Sequence, residues 1–387
     1  MPDYNSSILK DIGRSYVVSS LLPASIAIIL GVLIFKELVP SDLKDSLISS
    51  TVPFGGLIVA FIVFSIWLGF AFYNSQSFII PLFEGYHLPE WLKKNLINRQ
   101  KRRFSQAQEK LRESKASFDR LKNDPLPSDD VLRQNILASM EKASERGFNA
   151  AQDLLLEAPL KEEDLLPTRL GNVLRAGEYY PGLRYGFDAA NLWERLSTVL
   201  PQKFRDNMEE INNRLMFLIN SSLAIALIAS ASFLTSIFYW GMALFQILKP
   251  YIKEQIKFHY AFLLSLISQH SGVFEMPAIT VDGTALSKGC WFAVWGFVLI
   301  IIAYFLYFLS TRAAIDFSAL VQTAYDLYRH DLIKKFHLKV PGTLKKEKKL
   351  WEEINEFIVI GEQFHKAKKF KYHDDAPTEQ SHETEPD

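Results

Sequence analysis

The amino-acid sequence predicts an all-α fold: a polytopic membrane protein with four transmembrane helices, a cytoplasmic helical hairpin domain and a cytoplasmic C-terminal helical segment. Three features carry this. Four runs without a charged residue are long enough to cross a bilayer, a helical period follows the second of them, and Lys and Arg fall almost wholly on one side of the spans. The totals are neutral, with 43 Lys+Arg against 43 Asp+Glu in 387 residues, so the net charge gives no ground for a nucleic-acid partner. One cysteine, Cys290, leaves no intramolecular disulfide and no cysteine-based metal site within one chain.

The first run, Ser15 to Phe35, has 21 residues, enough for a hydrocarbon core of about 30 Å. A cleaved signal peptide would need a shorter apolar stretch and a small-residue cleavage site, where Lys36-Glu37-Leu38 stands instead. The second run is charge-free from Ser46 to Phe83. Its apolar centre is Val52 to Tyr73, and FIIPLF beyond it reads as an interfacial segment. The third, Leu215 to Leu248, has 34 residues and must tilt or protrude. The fourth, Gly289 to Thr311, carries Trp291, Trp295, Tyr304 and Tyr307 near its ends as interface anchors.

Four spans put both termini on one side. The segment between spans two and three holds 22 Lys+Arg, the N-terminal stretch two and the C-terminal tail 13, against six in the other two connectors. Basic flanks mark the cytoplasmic face, and Lys93 to Arg103 lies close enough to span two to count. The expected organisation is a cytoplasmic N-terminus (1–14), spans one and two (15–74), a cytoplasmic helical domain (75–214), span three (215–248), an extracytoplasmic loop (249–288), span four (289–311), a cytoplasmic helical segment (312–371) and a disordered tail (372–387). The extracytoplasmic loop joins an amphipathic HYAFLLSLI to VFEMPAITVDGTAL, where Asp282-Gly283 is a turn signal. The cytoplasmic segment is expected to run as a helix from about Arg312, break at Val340-Pro341-Gly342 and resume with Trp351, Ile354, Phe357 and Ile358 on one docking face.

Within the cytoplasmic domain, residues 98–157 read as a helical hairpin. Phe104, Ala107, Leu111, Phe118 and Leu121 follow a seven-residue repeat breached by Ser114, NDPLPSDD makes the turn with Ser128 as N-cap, and Ile136, Met140, Ala143, Gly147, Ala151 and Leu154 share a face of the second arm. The hairpin packs on its own domain or serves as an arm for a protein partner or a second copy. The basic cluster Lys93 to Arg103 is a topogenic flank or a patch for lipid headgroups.

The stretch 166–201, LPTRLGNVLRAGEYYPGLRYGFDAANLWERLSTVLP, combines Arg, Tyr, Trp and carboxylates with helix breakers. Its candidate residues are Arg169, Arg175, Glu178, Arg184, Tyr185, Asp188, Trp193 and Arg195. Planar guanidinium forks suit buried carboxylates, so pairing of these arginines with Glu178, Asp188 and Glu194 would knit a polar core beside the membrane. The same arginines and tyrosines could instead line a pocket for an anionic ligand such as a nucleotide or a lipid phosphate.

The segment TRLGNVLRAGEYYPGLRYGFDAANLWERL, with FIIPLFEGY before it and AAIDFSALVQTAYDLYRHDLIKKFHLKVP after it, resembles a family of uncharacterised bacterial membrane proteins with four spans and a cytoplasmic helical insertion. The resemblance implies a multi-pass protein of the bacterial inner membrane. It brings no reaction, cofactor or catalytic residue.

Catalytic and cofactor signatures are absent: no GxxxxGK[ST], GxGxxG, HExxH, GxSxG or EF-hand loop, and eight scattered histidines without acidic partners at metal-ligand spacing. An enzyme is therefore not expected, nor any cofactor or metal. In AYDLYRHDL, Asp326 and Arg329 invite an acid/base role, but their i,i+3 spacing on a helix predicts an ion pair. The spans contain no Asp, Glu, Lys, Arg or His, the residues that coupled carriers use for proton and ion sites at the midplane. In span three, Ser222, Ala226, Ala229, Ser232 and Ser236 form a small-residue stripe that packs helices or lines a pore. Two functions follow from different classes: a membrane-anchored helical scaffold that binds a partner or senses a signal, or an oligomeric pore gated by its cytoplasmic domain.

Overall fold

A computed structural model describes residues 15–39, 54–123, 130–159, 161–265 and 283–360. The described chain is about 90% helical and contains no strand. Four of its helices are long and apolar enough to cross a membrane: Val17–Phe35, Gly55–Asn74, Gln202–Lys249 and Thr284–Lys335. The N-terminal 14 residues, the Ser128 cap, the β-like stretch after Gly272 and the tail from Tyr372 lie outside the described residues.

The chain divides into two compact units. The first comprises Met1–Asn74 and Met216–Leu309. It contains α1 (Leu22–Phe35), led by a π-helical turn at Val17–Leu21, and α2 (Phe54–Asn74). Most of α8 (Gln202–Ser265) and the first half of α9 (Gly283–Lys335) complete it. Its core joins Ile34, Ile225, Ala229, Phe292 and Leu299, and Phe292 lies between the stacked rings of Phe35 and Tyr239 at 5.7 and 6.0 Å. The small-residue stripe supplies the close approach: Ser222 Oγ donates to the Ala303 carbonyl at 2.9 Å and Ser236 Oγ to the Gly289 carbonyl at 2.8 Å. Ala229, Ser232 and Ser236 are fully buried. Asn220 Nδ2 donates to the Ser19 carbonyl at 2.7 Å. Hydroxyls that bond across helices are the usual means by which small-residue faces hold together.

The second unit comprises Ser75–Leu215 and Ser310–Asp387. FIIPLF belongs to a short helix, α3 (Gln76–Glu84), capped by Gly85 in the left-handed region at φ 95°. Next come the hairpin arms α4 (Glu90–Asn123) and α5 (Asp130–Glu157). The first arm starts at Glu90, directly after Pro89, eight residues before the expected start, because EWLKKNL contains no helix breaker. Phe104, Ala143 and Ala150 are buried in the hairpin, so Ala150 takes the place expected of Ala151. Then follow α6 (Arg169–Tyr185), α7 (Ala189–Ser197), the ends of α8 and α9, and α10 (Leu344–Ile360).

Two boundaries differ from the sequence expectation. The apolar run of span three is the middle of the 64-residue α8, whose polar start QKFRDNMEEINNR carries good helix formers and no breaker. Span four likewise continues without interruption into RAAIDFSALVQTAYDLYRHDLIKK, so no new helix begins at Arg312. The chain leaves α9 at His337, in the left-handed region at φ 57°, and α10 begins after Pro341-Gly342. Trp351 and Ile354 are buried on α10 as expected of a docking face, whereas Phe357 remains half exposed.

Candidate functional site

The candidate residues sit on α6 and α7, whose geometry is set by their ends. Thr168 caps α6 by accepting from the Gly171 N–H at 3.0 Å, and Gly186, at φ 73°, closes it with its N–H on the Gly182 carbonyl and the Phe187 N–H on the Pro181 carbonyl. This reversal drives Phe187 into the core, fully buried, with its ring 5.0 Å from Tyr325 and 4.5 Å from Trp351. Asp188 then caps α7, accepting from the Ala190 N–H at 3.0 Å and from Asn191 Nδ2 at 2.8 Å.

The arginines do not pair as the sequence suggested. Arg169 holds Glu157 at the end of α5 through Nη2–Oε1 at 2.5 Å and Nε–Oε2 at 3.2 Å. Arg175 donates to the Asp164 carbonyl at 2.9 Å and to the Tyr179 hydroxyl at 3.0 Å, with its guanidinium 5.0 Å above the Tyr179 ring. Arg184 lies 5.5 Å from the centre of the Tyr180 ring. Arg195 donates to the Asn191 carbonyl at 2.6 Å. Among the described residues no ion pair joins Arg175, Arg184 or Arg195 to Glu178, Asp188 or Glu194. Asp188 is spent on its cap, and Glu178 lines a cleft that Arg175 does not reach, although the Arg175 charge still acts on it.

A polar core does form, with other members. Tyr180 and Tyr185 both donate to Asp326, at 2.9 and 2.6 Å. Arg329 lies with its guanidinium 3.9 Å from the centre of the Tyr185 ring and donates through Nε to Glu347 Oε1 at 2.7 Å. The same oxygen accepts from Trp351 Nε1 at 3.4 Å, and His330 Nε2 lies 3.3 Å away. Arg329 thus finds its carboxylate on α10; toward Asp326, the partner expected from their spacing, it bonds only the backbone carbonyl. Burial raises the Tyr180 and Tyr185 hydroxyls above their ordinary pKa, reinforced by the Asp326 charge. The FEGY turn joins this region as well: burial, then the neighbouring Glu178 charge, raises the Glu84 carboxyl to about 7 against the opposing pull of Arg175.

Beside this core lies an open cleft of about 880 Å³. Trp193, Phe317, Val321 and Tyr325 make its apolar wall, and Trp193 and Tyr325 tilt together with ring centroids 5.7 Å apart. Glu178, Asp188 and Glu352 supply three carboxylates, and the charges of Glu178 and Asp188 both reach Tyr325. No basic side chain is among the described residues that line it. Of the eight candidates, then, Glu178, Asp188 and Trp193 meet in the cleft, Tyr185 belongs to the Asp326 network, and the arginines brace the surrounding turns. Asp326, Arg329, Glu347 and Trp351 were missed as a group; their one sequence signal is the density of aromatic and charged residues in AYDLYRHDL, which matches that of 166–201.

Because Arg175 is only partly buried and bonded to one carbonyl and one hydroxyl, Arg175→Ala is expected to lower stability by about 1 to 2 kcal/mol. Asp188→Asn keeps a competent cap and should cost under about 0.5 kcal/mol. Fluorescence-detected size exclusion after a temperature series measures both; aggregation of either variant at wild-type working temperature would mean that the cleft rim is an ionic core after all.

Compared with known proteins, the chain matches no protein-family model, no curated protein and no solved structure.

Proposed function

We propose that this chain is a multi-pass protein of the bacterial inner membrane, a member of the four-span family that its TRLGNVLRAGEYY segment resembles. Both termini and the second unit are cytoplasmic in this reading. The four apolar helices and the 37 basic residues on one side of them, against six on the other, support the placement. Large apolar side chains such as Val59, Trp67, Leu234, Phe245 and Phe297 stand exposed along these helices, as a lipid solvent requires.

The second unit is a partner-binding module, and the observation that carries this is the cleft. An apolar, aromatic wall rimmed by three carboxylates, with no basic side chain among the described residues that line it, fits a basic amphipathic segment, with its apolar face on Trp193 and Phe317 and its cations on Glu178, Asp188 and Glu352. The same arrangement disfavours a nucleotide or lipid phosphate, whose charge these carboxylates would repel. Burial of Ser222, Ser232 and Ser236 in helix contacts favours this reading over a pore lined by span three.

The test uses the full chain in phosphatidylcholine nanodiscs and a fluorescein-labelled amphipathic Leu/Lys peptide, with a Leu/Glu peptide of the same pattern as its counterpart. The basic peptide should bind saturably and the acidic one should not. Charge reversal at exposed Glu352, Glu352→Lys, should weaken binding about tenfold, the scale of one lost charge-assisted contact. Equal binding of both peptides, or indifference to Glu352→Lys, would sink the proposal.

A further inference from the structure

We propose that the cleft is regulated by the chain itself: segment 361–372, GEQFHKAKKFKY, occupies it and excludes an outside partner. The inference rests on the cleft as a site for basic amphipathic segments, and it names the occupant closest to hand.

Three observations converge on that segment. Its chemistry is complementary to the wall. Lys366, Lys368, Lys369 and Lys371 alternate with Phe364, Phe370 and Tyr372, which offers cations to Glu178, Asp188 and Glu352 and rings to Trp193 and Phe317. Its attachment is close. Glu352 lies on α10, eight residues before Ile360 ends that helix, a rise of about 12 Å. The six further residues to Lys366 can span about 20 Å, more than the return requires. The third is a sign change that fixes which part binds. Beyond His373 come Asp374, Asp375, Glu379, Glu383, Glu385 and Asp387, which an acidic cleft repels, so the occupant is confined to the basic part.

The physical consequence is competition. A short tether holds its segment at an effective concentration of roughly millimolar, so an outside peptide must displace it before it binds. Neutralising the segment therefore opens the cleft without touching it.

The measurement compares the full wild-type chain with a full-length variant in which Lys366, Lys368, Lys369 and Lys371 are all changed to Gln, using the Leu/Lys peptide and phosphatidylcholine nanodiscs. The expected result is a gain in peptide affinity of at least about tenfold, as removal of a millimolar tethered competitor implies, and loss of that gain when Glu352→Lys is added. A second readout traps the contact directly. In a Cys290→Ser background, Ala190→Cys at the exposed rim and Lys368→Cys should form a disulfide within one chain on mild oxidation, which Glu352→Lys slows. If wild type and the four-Gln variant bind the peptide equally while Glu352→Lys still weakens both, the self-occupancy is wrong and the cleft reading survives. If neither binds, both fall. If the peptide binds but no cysteine pair forms, the segment does not lie in the cleft and the inference is overturned.

Discussion

Replacing Glu347 by alanine is expected to destabilise the protein by about 3 to 5 kcal/mol, a large part of the margin of an ordinary domain. The side chain is buried, and one of its oxygens accepts from both Arg329 and Trp351. Without it the Arg329 guanidinium is stranded where its side chain is only 14% exposed, and α10 loses the bond that fixes Trp351 in the aromatic core. Glu347→Gln keeps an acceptor and the shape, so its cost should be smaller. The pH dependence follows from the same contacts. Burial pushes the Glu347 carboxyl up, but hydrogen bonding and the charge of Arg329, with His330 and Trp351, outweigh it and leave the pKa below its ordinary 4.5. A lowered carboxyl pKa contributes stability that is fully present above the unfolded value and is lost as the pH falls through the folded one. Melting of the full chain should therefore be insensitive to Glu347 protonation at neutral pH and drop below about pH 4.5, more shallowly in Glu347→Gln. A Glu347→Ala variant that melts with the wild type would refute the network as a structural element.

Gly171→Val should be comparably damaging, at about 3 kcal/mol, the upper part of the overpacking range. A Cβ at Gly171 would stand 2.9 Å from the Glu84 Cα and carbonyl oxygen, and backbone cannot rotate out of the way as a side-chain tip can. The substitution would force the FEGY turn off α6 and with it the close approach of Gly85 to Pro167, where a Cβ placed on Gly85 would stand only 3.0 Å from the proline ring. Gly182→Ala on the same helix is the control. Its Cβ finds the Phe187 carbonyl at an ordinary 3.6 Å, and alanine's better helix propensity is worth up to about 1 kcal/mol. Thermal midpoints that rank the two variants in the opposite order would show that α6 and the turn are not in tight contact.

The four long apolar helices were legible because exclusion of charge over some twenty residues has no other common cause. The hairpin was legible because two arms joined by NDPLPSDD carry their own periodicity and breakers. Helix ends were less so: Leu215 and Thr311 looked like boundaries because the composition changes there, yet a helix ends only where a breaker or a better cap appears, and neither segment has one. The ion pairs were read from the nearest opposite charge, whereas Arg329 bonds a carboxylate 18 positions away, across the Pro341-Gly342 turn. The cleft itself left little trace, since Trp193, Phe317, Tyr325 and Glu352 belong to three helices brought together only by the fold.

The shared acceptor on Glu347 has an experimental consequence for finding a ligand. Glu352, at the cleft wall, rides on the same short helix as Glu347, so the wall is in place only while α10 is docked. A molecule that bridges α7 and α10 thereby binds the docked form and not the released one, and shifts their balance by RT ln(1 + [L]/Kd), about 2.7 kcal/mol at a hundredfold excess over Kd. Heat resistance of this one helix becomes an assay that needs no knowledge of the ligand or of any activity.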